Sequence, residues 1–204
     1  MTNYLFVIYI GSHIVLTQVI FTSINNTMNN TDRKKNIKKT TDAKIIAACA
    51  LFTAIAMIFS YIESLLPIPF PVPGFRLGFA NIAILAVLYL YGIKEAFIVN
   101  IVRIVLSSLL FGNINSFFFS MAGGIASLTI MILLKKTDKF SVIAVSAVGG
   151  IVHNIIQVLI AVWVLGSTAV AYLIPVFIII GLVTGIVCGI VSGIFLKHIK
   201  KNVL

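Results

Sequence analysis

Arg103 and the group His153, Asn154 and Gln157 are the residues best placed to do chemistry, because all four stand inside long apolar runs. A guanidinium stays charged in hydrocarbon at a cost of at least about 2.5 kcal/mol, so it must face the protein interior and find acceptors. Asn100 and Ser107, three and four residues from Arg103, share its helical face. His153 and Gln157 lie one helical turn apart with Asn154 beside them, which gathers three hydrogen-bonding side chains at one level. Such a set lines a cavity or ties helices together, and Arg103 either serves a ligand or pairs with Glu63 or backbone carbonyls. Arg76 and Asn81 point to the same outer level, where Glu63 is the nearby acid. Cations outnumber acid there, so the site would prefer an anion such as a carboxylate or phosphate. The candidate substrate-binding residues are therefore Arg76, Asn81, Arg103, Ser107, His153, Asn154 and Gln157.

Other chemistries lack their residues. There is no G-x-x-x-x-G-K-[ST] nucleotide loop, and Asp32, Asp42 and Asp138 are isolated in basic stretches, so no paired acidic motif could hold Mg²⁺ on a diphosphate. Cys49 and Cys188 fall in apolar runs without His or Cys at ligand spacing and read as small buried apolar side chains. The expectation is a non-enzyme with no metal and no cofactor. The net charge of +10 sits in clusters between apolar runs, a pattern of membrane topology rather than of nucleic-acid binding.

The elements that must position these residues are membrane helices. Hydrophobic residues make up 60% of the chain and charged ones 10%, against roughly 25% charged in a soluble domain. Six apolar segments come after the basic stretch Arg33–Lys44, at about Ala43–Ser64, Leu77–Tyr91, Ile93–Phe111, Ser116–Leu134, Phe140–Leu165 and Ala171–Leu196. The predicted fold is all-α, a polytopic six-helix transmembrane bundle. Residues 43–198 form this domain, 1–42 an N-terminal hydrophobic segment with a basic cytoplasmic linker, and 199–204 a basic cytoplasmic tail. Lys residues mark alternate connections, at Lys94, at Lys135, Lys136 and Lys139, and at Lys197, Lys200 and Lys201. That pattern places both ends of the core on the cytoplasmic side of the plasma membrane.

Two stretches stand apart. The first outer connection, Leu66–Gly78, has proline at 67, 69, 71 and 73 and is expected to be extended and to fold over the outer mouth of the bundle, or to act as a stiff connector. The segment Leu5–Phe21 has three readings: an extra spanning helix, a surface-lying segment, or residues added by an upstream start, with Met28 the functional one.

Small residues mark close helix contacts. Gly181, Gly185, Gly189 and Gly193 draw a stripe down the last helix for close approach by another helix, expected inside the bundle, with a partner subunit as the alternative. Ala50 and Ala54, spaced by four with Ala43 and Ala47, would admit either an internal helix or a docking partner.

The runs Pro73-Gly-Phe-Arg-Leu-Gly-Phe-Ala-Asn81, Arg103-Ile-Val-Leu-Ser-Ser-Leu-Leu-Phe-Gly112, Ser120-Met-Ala-Gly-Gly-Ile-Ala-Ser127 and Val152-His-Asn-Ile-Ile-Gln157 resemble the bacterial family named heptaprenyl diphosphate synthase component I, also called the Gx transporter family. The resemblance covers about residues 43–198. That family is itself similar to the six-helix substrate-binding subunits of energy-coupling factor transporters. The likeness implies a small ligand bound under the loop after the first helix, and docking of a transmembrane coupling protein with its ATPases through Ala50 and Ala54. The family label implies instead a soluble prenyltransferase as partner.

Overall fold

The computed structural model describes residues 33–65 and 75–203. The segment Leu5–Phe21 and residues 66–74 of the proline loop lie outside them. The chain comprises two compact units, Met1–Leu51 and Phe52–Leu204. Among the described residues every regular element is helical: α1 (Arg33–Leu65), α2 (Asn81–Leu90), α3 (Ile93–Phe111), α4 (Ile114–Lys136), α5 (Val142–Leu165) and α6 (Ile174–Val203), with a 3-10 turn at Thr168–Leu173 before α6. The spans Ala43–Leu65, Ile114–Lys136, Val142–Leu165 and Thr168–Ile199 are long and apolar enough to cross a bilayer. The protein is a polytopic helical membrane protein.

The bounds of α3 agree with expectation, whereas those of α1 and α2 depart most. Helix α1 starts at Arg33 rather than Ala43, because the basic stretch contains no Gly or Pro to stop it. Helix α3 has the length to span but carries Lys94, Glu95 and Arg103. The larger difference is α2, which has 10 residues and rises about 15 Å, half of a ~30 Å hydrocarbon layer. It begins only at Asn81 because Gly78 adopts φ +90°, a left-handed turn that a helix cannot pass through. Gly92, at φ +119°, ends it just as sharply.

This short helix is the centre of the bundle. Asn81 and every residue from Ala83 to Leu88 are buried. A helix that ends inside protein leaves carbonyls without partners, and Lys135 of α4 answers one of them, its Nζ donating to Leu88 O at 2.6 Å. The same ammonium lies 4.9 Å from the centre of the Tyr89 ring. Phe52 of α1 closes another side, edge-on to Tyr91 at 6.1 Å and to Phe195 of α6 at 5.7 Å.

Helices α5 and α6 meet backbone to backbone along the glycine stripe. A Cβ on Gly181 would lie 2.6 Å from Gly150 O, one on Gly185 2.7 Å from Ser146 O, and one on Gly189 2.7 Å from Ile143 Cα. No side chain larger than hydrogen fits at these points, so the stripe is an internal seam. Gly193 differs, since a Cβ there would meet nothing within 4 Å.

This contrast sets a test. Gly185→Ala should cost about 1–3 kcal/mol of stability by forcing the two backbones apart. Gly193→Ala should leave the melting temperature unchanged or slightly raised, because alanine favours helix over glycine. Thermal unfolding of both variants in the same detergent checks it; equal behaviour would refute the seam.

Candidate binding site

The polar residues assemble around the three-residue segment Arg76-Leu77-Gly78, which precedes α2. Gln157 of α5 clamps its backbone twice: Arg76 N donates to Gln157 Oε1 at 3.0 Å, and Gln157 Nε2 donates to Arg76 O at 3.0 Å. Glu63 of α1 accepts the Gly78 N–H at 2.7 Å. Ser116 of α4 accepts from Arg76 Nε at 2.9 Å. Three helices thus hold one stretch of irregular chain, and Phe75 packs its ring 4.3 Å from that of Phe177 on α6.

Helix α4 enters this arrangement capped. The Asn113 side chain accepts the Ser116 N–H at 2.8 Å, which starts the helix and sets Ser116 beneath the arginine. Gly112 lets the α3–α4 turn come close, for a Cβ there would stand 3.2 Å from Arg76 Nη2.

His153 joins from one turn below Gln157. The Gln157 amide is oriented by Arg76, so its remaining N–H points at His153 Nε2. The imidazole is then an acceptor at Nε2 and carries its proton on Nδ1, beside Gly123 of α4. Its other face reaches Gly78, where a Cβ would lie 3.2 Å from His153 Cδ2 and 3.2 Å from Asn81 Nδ2. Arg76, Asn81, His153 and Gln157 therefore form one contiguous polar group.

Arg103 lies against the next residue of α4. Its Nε and Nη2 donate to Asn100 Oδ1 at 3.2 and 3.0 Å, and Asn100 Nδ2 donates to Gly124 O at 3.1 Å. A Cβ on Gly124 would stand 3.4 Å from Arg103 Nη2, so the glycine pair Gly123–Gly124 lets His153 and Arg103 approach α4 side by side. Among the described residues Arg103 is anchored by Asn100 rather than by Glu63.

Two expected members do other work. Asn154 turns to α6, its Nδ2 donating to Phe177 O at 3.1 Å, so it ties helices where the sequence pattern also allowed a cavity wall. Ser107 is buried and donates to Ile104 O at 3.3 Å within its own helix. Conversely Glu63, Asn100 and Ser116 belong to the site's framework, and Ser116 is not among the residues that the sequence pattern singles out. A signal for it exists, since Ser116, Ser120, Gly123 and Ser127 recur on one helical face.

The electrostatics follow from burial. Arg103 is 2% exposed, Arg76 6% and Glu63 8%. These are the buried charges among the described residues, two positive and one negative. Burial lowers the Arg76 pKa from its usual value, and the nearby Glu63 carboxylate offsets part of that. Arg76 Nη1 is buried without a hydrogen-bond partner, as are the hydroxyls of Ser60, Ser108 and Ser120. Among the described residues no three His, Cys, Asp or Glu side chains are grouped to hold a metal.

A family model described as heptaprenyl diphosphate synthase component I matches residues 52–195. The chain belongs to that family. The matched stretch contains Glu63, Arg76, Arg103, His153 and Gln157, so the component I region and the polar group coincide. No curated protein and no solved structure matches the chain.

The double clamp gives a direct test. Gln157→Leu leaves the Arg76 N–H and carbonyl buried and unpaired, each at about 1–3 kcal/mol, so the melting temperature should fall steeply while Ser141→Ala, at the exposed start of α5, shifts it far less. Comparable losses in thermal melts would show that Gln157 is not holding the segment.

Proposed function

We propose that this membrane protein is a substrate-capture or transport subunit for a small anionic or isoprenoid-related compound, energised by a partner complex. The carrying observation is the uneven buried charge: Arg76 and Arg103 against Glu63, with Arg76 Nη1 lacking a partner. An unbalanced buried guanidinium is costly unless an anion answers it, and its planar fork suits carboxylate or phosphate. In this reading Arg103 and Arg76 supply fixed positive charge. Asn81 supplies directional hydrogen bonds, His153 and Gln157 frame Arg76, and Ser107 and Asn154 support the walls. The Lys-bearing connections and both ends of the core are cytoplasmic, in the plasma membrane.

The test is ligand retention measured beside stability. Arg103→Lys keeps the charge but loses the fork, so bound ligand seen by native mass spectrometry should drop at least about tenfold with insertion intact. Arg103→Leu should abolish retention while the melting temperature holds or rises, since a buried charge has been removed. A large fall in stability with normal ligand content in the folded remainder would make Arg103 structural and end the proposal.

The family description supports a second reading, a non-catalytic membrane component working with a soluble prenyltransferase. Ala50 is exposed and Ala54 half-buried on α1, as a docking face needs. Affinity capture of the tagged protein separates the two: a membrane coupling protein with ATPases, lost in Ala54→Leu, agrees with the transport reading. A soluble prenyltransferase retained instead would favour the second.

A further inference from the structure

We propose that the groove between the end of α2, the start of α5 and the last turns of α6 is a binding site for an anionic phospholipid. It is distinct from the buried polar group and lined by Tyr89, Val142, Ile143, Ile190, Gly193 and Lys197, among others. Its volume of about 500 Å³ falls within the roughly 300–1,000 Å³ usual for ligand sites.

The groove exists because the glycine seam runs past its partner. Gly181, Gly185 and Gly189 press on α5, but at Gly193 the helices no longer touch and a Cβ would meet nothing within 4 Å. Ile143, Ile190 and Ile194 stand exposed around the opening, in a protein whose surroundings are lipid. An apolar channel of this kind takes a hydrocarbon chain.

Charge at the rim selects the headgroup. Lys197 lines the groove and is exposed. Lys135 lies 4.9 Å from the ring centre of Tyr89, which lines the same groove. Ser141, where the α4–α5 connection ends, also lines the groove, and that connection carries Lys136 and Lys139 against one acid, Asp138. A basic rim above an apolar slot complements a phosphate carried on an acyl chain, and clustered lysines at a membrane surface favour anionic over zwitterionic lipid.

The experiment presents the full-length protein in mild detergent with equal amounts of phosphatidylglycerol and phosphatidylcholine and counts retained lipid by native mass spectrometry. Wild type should keep one phosphatidylglycerol in preference to phosphatidylcholine. Gly193→Leu should fill the slot and lose the lipid with no fall in melting temperature, and Lys197→Gln should reduce the preference about fivefold without emptying the slot. Equal retention of the two lipids by wild type, or unchanged retention in both variants, would overturn the proposal. So would displacement of the lipid by heptaprenyl diphosphate at stoichiometric amounts, which would assign the slot to a prenyl chain. Should Gly193→Leu fail to fold, the Lys197→Gln preference decides alone.

Discussion

Backbone N–H and C=O groups need partners wherever water is scarce, and the structure turns on one place where a helix does not supply them. The segment from Arg76 to Ala80 is irregular chain within the bundle, with Gly78 left-handed and α2 not yet begun. Buried non-helical backbone survives only when surrounding protein satisfies it. Gln157 takes both polar groups of Arg76, and Glu63 takes the Gly78 N–H. The hydroxyl of Ser192 on α6 bonds Ile82 O at 3.0 Å, extending the same support into the first turn of α2. These bonds join residues up to 110 positions apart, so the polar group is also what fastens the helices to their centre.

Because the same side chains hold structure and offer charge, the two roles share one geometry. Gln157 is occupied by backbone and imidazole and has little capacity left for a ligand, whereas the guanidinium of Arg76 retains a free edge. Arg103 is oriented by Asn100 through two N–H groups, which fixes its plane against α4. In the proposed binding role the arginines would act as the charged elements, and the amide, imidazole and carboxylate as the frame that aims them. Such a division makes pre-organisation cheap, since the frame exists before any anion arrives.

Glycine placement governs both of the other features. Where α6 glycines oppose Gly150, Ser146 and Ile143, hydrogen is the only side chain that fits and the helices close. Four residues further on the same repeat finds no neighbour and leaves the slot beside Lys197. On α4, Gly123 and Gly124 let a histidine from α5 and an arginine from α3 reach the same turn. One residue type therefore builds a seam, a slot and a meeting point, depending on what stands opposite.

Much of this is legible in the residues. The spans of α1, α4, α5 and α6, the close-packing character of the α6 stripe, and the presence of polar residues inside apolar helices all follow from hydropathy and spacing, whereas that the stripe meets α5 came from the packing. The four-motif resemblance likewise points to the family that matches residues 52–195. What local pattern could not convey was direction. His153, Asn154 and Gln157 share a stretch of helix, yet only the packing of α6 turns Asn154 toward Phe177 and leaves the other two facing Arg76. By hydropathy α2 should begin at Leu77, because residues 77–80 carry no polar side chain, and a left-handed Gly78 held by Glu63 delays it to Asn81. Hydropathy and charge by themselves determined that this chain crosses membranes as helices with guanidinium inside. Which acceptors those guanidinium groups meet was decided by tertiary structure, because hydrogen bonds across 40 to 81 residues depend on how helices rotate against one another.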